Sequence, residues 1–252
     1  TLLKIYSRMT AMIRIYKNLS TKFLNMVNSS KELQSINAQL FIKKTSLLIS
    51  KSCQLCDETT QNKPVFCDDC YTNLPRSQMK CSTCSLPISL SSSENPKPRL
   101  VCGECLALPP SFTETLCPLN YEFPVNKIIG QIKYSKRKHW AKALTWALQQ
   151  EYLKSQNTLK IKKPDLLIPI PMHRTKHKER GFNQAELIAQ LLSKATGIIV
   201  AKNSLLKTKP TDTQAQLNKK DRIRNLRGSF CISKKTSKQG LLIGKHVALV
   251  DD

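Results

Sequence analysis

Residues 247–250 are an unbroken apolar run, VALV, of the length that a buried parallel strand needs. The run delivers two adjacent carboxylates, Asp251 and Asp252, at its carboxyl end. A second run, DLLIPI at residues 165–170, is punctuated by Pro169 and Pro171 and predicts another buried strand. Between the two, residues 184–195 set Ala185, Ile188, Ala189 and Leu192 on one helical face. Asn183, with Glu186 three positions later, reads as a capping box at the start of that helix. Upstream, Ile128, Ile129, Ile132, Leu144, Ala147, Leu148 and Tyr152 recur at helical spacing and predict one or two helices with a break near Ser135. Strands alternating with helices point to an α/β domain. In an open α/β sheet, ligands bind beyond the carboxyl ends of the strands, which makes Asp251 and Asp252 candidate site residues.

The first 27 residues follow a different pattern. Leu2, Ile5, Tyr6, Met9, Met12, Ile13, Tyr16, Leu19, Phe23 and Val27 fall at helical spacing with Lys4, Arg8, Arg14, Lys17 and Lys22 between them, which predicts a basic amphipathic helix. Such a helix suits a membrane-surface anchor, a transit peptide or a packed helix; the alternative is that this leader is not native protein. The chain has no run of eighteen apolar residues and no secretory signal, so neither a transmembrane helix nor export is indicated.

Charge sharpens this division. Residues 1–50 carry eight Lys/Arg against one acid (+7), residues 51–120 six against seven (−1), and residues 121–252 twenty-seven against nine (+18). The C-terminal domain is therefore the one suited to polyanions, either phosphorylated small molecules or single-stranded nucleic acid. The most concentrated basic segment follows the strand at 165–170: His173, Arg174, Lys176, His177, Lys178 and Arg180, closed by Gly181. Read as a loop between a strand and a helix amino terminus, it is a candidate anion site, because helix-end amides add to the side-chain charge.

The middle of the chain carries its chemistry in cysteines. Eight of the ten form four C-x-x-C pairs: Cys53/Cys56, Cys67/Cys70, Cys81/Cys84 and Cys102/Cys105. Two thiolates two residues apart grip one side of a tetrahedral metal ion, and two such pairs close a four-sulfur shell with no open position. This is the pattern of structural zinc. Short loops favour sequential pairing, with Cys53, Cys56, Cys67 and Cys70 on one zinc and Cys81, Cys84, Cys102 and Cys105 on the other; an interleaved cross-brace is the alternative. The Ser/Pro-rich segment at 89–99 reads as a surface loop, and Cys117 and Cys231 as ordinary buried thiols. Three segments follow: a basic leader (1–50), a double zinc ribbon (51–117) and an α/β domain (118–252).

The stretches PIPMHRTKHKERGFNQAELIAQLL, TQAQLNKKDRIRNLRGSF and GKHVALVDD, in that order behind C-x-x-C pairs, strongly resemble the ComF family of competence proteins. That resemblance covers about four fifths of the chain. It implies a type I phosphoribosyltransferase-like fold, a parallel sheet flanked by helices, binding 5-phosphoribosyl 1-pyrophosphate with magnesium. It assigns Pro171, Met172, His173 and Arg174 to the pyrophosphate loop, with Arg180 just beyond it, and Gln214, Gln216 and Arg222 to a mobile loop over the site. Asp251 and Asp252 become the acceptors for the ribose hydroxyls. The family pattern continues with a Thr/Gly-rich phosphate loop after the acidic pair, so the chain is expected to be a fragment that stops short of it.

For function, the resemblance implies DNA uptake in natural transformation, with single-stranded DNA and a helicase-like competence protein as partners. The expected location is the cytoplasm, with contact at the inner-membrane surface. An active phosphoribosyltransferase of nucleotide metabolism and a zinc-ribbon adaptor are the alternatives.

Overall fold

The computed structural model describes residues 12–16, 52–60, 65–88, 100–159, 162–211 and 218–252. The chain divides into two compact units, one formed by residues 20–74 and the other by residues 1–19 together with 75–252.

In the smaller unit, a knuckle around Cys53 and Cys56 is closed by amide bonds from Cys53 to the Glu58 carbonyl (2.6 Å) and from Asp57 to the Cys53 carbonyl (2.9 Å). Asp57 takes a left-handed backbone (φ 61°), which lets the chain double back. Cys67 then caps α1 (Asp68–Thr72), its sulfur accepting from the Cys70 amide.

The larger unit opens on the same device. Cys81 donates its amide to Leu86, Ser85 donates to Cys81 and has φ 59°, and Cys102 sits at the amino end of α2 (Gly103–Ala107). This second ribbon is part of the α/β core. Cys81, Cys84 and Cys105 are buried in one apolar cluster with Phe112, Leu166, Ile168, Ala201, Leu242 and Val247. The Ser85 hydroxyl donates to the Thr115 carbonyl of β2 (Glu114–Leu116), and the Lys80 ammonium to the Cys117 carbonyl at 2.7 Å.

Helices α3 (Val125–Tyr134) and α4 (Trp140–Leu159) flank the expected break, with Ser135 as the C-cap of α3. The strand expected at 165–170 is β3 (Leu166–Pro169), buried throughout, followed by α5 (Arg174–Arg180), α6 (Gln184–Thr196) and β4 (Ile199–Val200). A hairpin-like pair, β5 (Leu205–Lys207) with β6 (Phe230–Ile232), encloses α7 (Lys219–Leu226). Helix α8 (Lys234–Lys238) leads to β7 (Val247–Asp251).

The main sheet places β7, β3 and β4 side by side in parallel. Alternation sends Leu166 and Ile168 to the ribbon side and Leu167 to the other face, where α6 packs on β3 and β7 and α4 packs on α6. The register is pinned at the amino ends: the Asp165 amide donates to the His246 carbonyl, and the His246 amide donates to Asp165 Oδ2, both at 2.7 Å.

Three expectations are corrected. Residues 12–16 form a strand, β1 (Met12–Tyr16), paired antiparallel with β7 on one side and β2 on the other, rather than part of an amphipathic helix. MIRIY alternates with period two as readily as it fits a helical stripe. Its β-branched Ile13 and Ile15 favour the sheet once the β7 edge offers unpaired backbone groups. The basic segment after β3 is helix α5 instead of a loop. Cys231 is exposed; Cys117 is buried as expected. The remainder of the 1–50 leader and the loop at 89–99 lie outside the described residues, and among the described residues no helix is long and apolar enough to cross a membrane.

Candidate functional site

The eight paired cysteines converge in two clusters, Cys53, Cys56, Cys67 and Cys70 in the smaller unit and Cys81, Cys84, Cys102 and Cys105 in the larger. The four sulfurs of each set lie within 4.8 Å of one another. Sequential pairing, not a cross-brace, is the arrangement found. A tetrahedral zinc ion with bonds of about 2.3 Å separates its sulfurs by about 3.8 Å. Cys56 to Cys67 and Cys84 to Cys102 are each 3.7 Å apart. The donor set and its spacing therefore fit the ion. Backbone amides point at the sulfurs that would bear charge: Cys53 accepts from Leu55 at 3.4 Å, and Cys81 from Cys102 at 3.3 Å and Cys84 at 3.5 Å. Burial alone would push both thiols up; backbone N–H groups, led by that of Cys67 at Cys53 and that of Cys102 at Cys81, together with the neighbouring Cys56 and Cys84 thiols, outweigh it and bring each to about 7.

The second candidate site is built by strand order. β3 and β7 are parallel neighbours, with Pro169 opposite Val250 and the Ile170 amide donating to the Val250 carbonyl at 2.9 Å. Consequently Pro171, Met172, His173 and Arg174 leave the sheet at the same end as Asp251 and Asp252. His173 caps α5, its Nδ1 lying 2.8 Å from the Thr175 hydroxyl, and Gly181 ends that helix with φ 79°. Asn183 then performs two tasks. Its Oδ1 accepts from the Ala185 amide at 3.1 Å, capping α6, and its Nδ2 donates to the Ile170 carbonyl at 2.9 Å, tying the helix start to the end of β3. Glu186, the expected partner in a capping box, has its carboxylate engaged by Gln190 (2.9 Å) and Lys202 (3.2 Å).

Two lysines from other elements act on this strand end. The Lys133 ammonium, in the last turn of α3, lies 3.1 Å from Asp252 Oδ2, with side chains 26% and 16% exposed. Burial would lower the Lys133 pKa, but Asp252 and then Asp251 overcome it and hold the ammonium protonated beyond its ordinary range. Lys207, at the end of β5, is pushed down by burial and by the like charge of Lys176, with Asp251 as the opposing influence. Arg180 lies over the Tyr134 ring at 5.6 Å, and Lys138 over Phe182 at 4.8 Å, so the α3–α4 turn is interleaved with the end of α5. Of the other residues assigned to this site by resemblance, Arg222 lies in α7, and Gln214 and Gln216 fall outside the described residues.

Lys133 and Lys207 are the members that pattern reading misses. Each is one Lys among many in a basic domain, and only the fold brings them to the acidic pair.

Among curated proteins, the chain is 31% identical over 187 residues to the DNA utilization protein YhgH of Shigella flexneri, covering 74% of this chain and 77% of that one. The chain belongs to the ComF family. The YhgH protein of Salmonella typhi is 30% identical over the same length. The Competence protein F of Haemophilus influenzae is 32% identical over 151 residues, or 60% of this chain and 65% of its own. No family model matches the chain. No solved structure matches it. The ComF chain thus combines two four-cysteine clusters with an α/β sheet whose adjacent strand ends gather acids and cations.

Proposed function

We propose that this ComF protein acts in DNA uptake, binding phosphoribosyl pyrophosphate with magnesium at the carboxyl ends of β3 and β7 and single-stranded DNA over its basic surface. The observation that carries the reading is the juxtaposition of residues 171–174 with Asp251 and Asp252 at one end of neighbouring parallel strands, the usual place for a ligand in such a sheet. A sugar diphosphate asks for both kinds of group found there. Carboxylates accept hydrogen bonds from ribose hydroxyls, and Arg174, Lys176 and Lys207 offer positive charge to phosphate oxygens. Magnesium would arrive on the diphosphate oxygens. Zinc in the two cysteine clusters is structural in this reading, since four sulfurs leave no position open. The DNA role is supported by the names of the curated relatives and by the +18 charge of residues 121–252.

Titration calorimetry tests the ligand. With magnesium present, Asp251→Asn with Asp252→Asn should weaken phosphoribosyl pyrophosphate binding by about 1.5–3 kcal/mol for each charged hydrogen bond lost. Equal affinity in the double variant and its parent would overturn the assignment. For DNA, affinity for an unstructured single strand should fall linearly with salt on a log–log plot, with a slope set by the phosphates neutralised. An absence of binding at low salt would remove the DNA half of the proposal.

A further inference from the structure

Two adjacent half-buried carboxylates at a strand end can serve two different ligands. They can accept hydrogen bonds from a diol, or they can begin a divalent-cation site, because magnesium and manganese are held through one or two carboxylates with water completing the octahedron. What decides between these uses is the charge already present. Here an ammonium stands 3.1 Å from Asp252, drawn from a different element, α3, and both partners are mostly shielded from solvent. Lys207 of β5, whose ammonium donates to the Thr211 hydroxyl at 2.7 Å, feels the charge of Asp251 and of Lys176 in α5, and Arg180 acts on Lys133 as a like charge. Lys133 of α3 thus contacts the pair and Lys207 of β5 feels its charge, while the α5 cations Lys176 and Arg180 act on those two lysines. A bare dication entering this position would have to displace Lys133 and would also meet the positive charge of Lys207. A neutral diol meets no such barrier.

We infer that Lys133 is a specificity-determining residue, which holds the acidic pair as hydrogen-bond acceptors for a sugar diol and bars a free divalent cation from it. Magnesium then enters only as part of a diphosphate complex. This rests on the ligand reading above, and the test separates the two.

The probe is manganese alone, with the free ion followed by its paramagnetic resonance signal in the full chain without nucleotide. The parent should bind it weakly. Lys133→Met, which keeps an unbranched stem one atom shorter and removes the charge, should bind it at least tenfold more tightly, and Lys133→Gln should do the same while retaining a polar end. Lys133→Arg should resemble the parent, and adding Asp252→Asn to Lys133→Met should abolish the gain. A merely structural lysine would change thermal stability without altering manganese affinity, so unchanged affinity in folded Met and Gln variants overturns the inference. If neither variant folds, manganese binding by the parent decides: tight binding at Asp251 and Asp252, lost in Asp252→Asn, contradicts exclusion, and weak binding upholds it. Titrating the same proteins with phosphoribosyl pyrophosphate tells the failures apart. A parent that binds the sugar diphosphate while the Lys133 variants gain no manganese defeats this inference alone; Lys133 variants that gain manganese beside a parent that ignores the sugar diphosphate defeat the ligand reading alone.

Discussion

At the scale of single residues, the site depends on side chains that hold backbone in place as much as on those that carry charge. Asn183 shows this. One amide group caps a thirteen-residue helix and also secures the carbonyl of Ile170, the first residue beyond β3. Asn183→Ala removes both bonds and should destabilise the protein by about 1–2 kcal/mol, the upper part of the range for a lost cap. Chemical denaturation would measure this, and a loss below a few tenths of a kcal/mol would show the cap to be redundant. Asp57 and Ser85 play a parallel part in the knuckles: both take left-handed backbone one position after the second cysteine. Replacing Ser85 by Gly should relieve that backbone but lose the hydroxyl that reaches Thr115 in β2, so the net effect measures how firmly the second ribbon is tied to the sheet.

At the scale of elements, the legibility of the sequence follows how much each element depends on its own residues. β3 and α6 are legible because their apolar runs and spacing are what bury them: Leu167, Ile188 and Leu192 have no exposed surface. Leu167→Ala should therefore cost about 2–5 kcal/mol, read from the denaturation midpoint, as expected for a cavity in the layer between sheet and helix. The break between α3 and α4 is legible for the same reason. β1 is not, because a five-residue strand held between β2 and β7 is chosen by its partners, and MIRIY satisfies both periods. Nor is α5. Its sequence RTKHKER has no apolar position to mark a face, so its helical state shows only in the cap at His173 and the stop at Gly181. The acidic pair and the 171–174 segment were each visible in the sequence, but their adjacency needed the β3–β7 register, and the contribution of Lys133 needed α3 to be placed.

At the scale of the whole molecule, the two cysteine clusters look alike but belong to different compact units, and that difference has consequences. Cys81, Cys84 and Cys105 share an apolar cluster with Leu166, Ile168 and Val247, whereas Cys53 and Cys56 belong to the smaller unit. Protein purified without added metal should contain two zinc ions per chain. As pH falls, protons should compete for the thiolates and release the metal. Cys81→Ser with Cys84→Ser should lower the melting temperature of the α/β unit, while Cys53→Ser with Cys56→Ser should leave it close to the parent; equal effects would contradict the division. The central claim, that adjacent ends of β3 and β7 form one ligand site, is tested most directly by amide hydrogen exchange with and without phosphoribosyl pyrophosphate and magnesium. The account predicts slower exchange concentrated in residues 170–183 and 250–252. Ligand binding that leaves both segments unprotected, or protects only one of them, would contradict it.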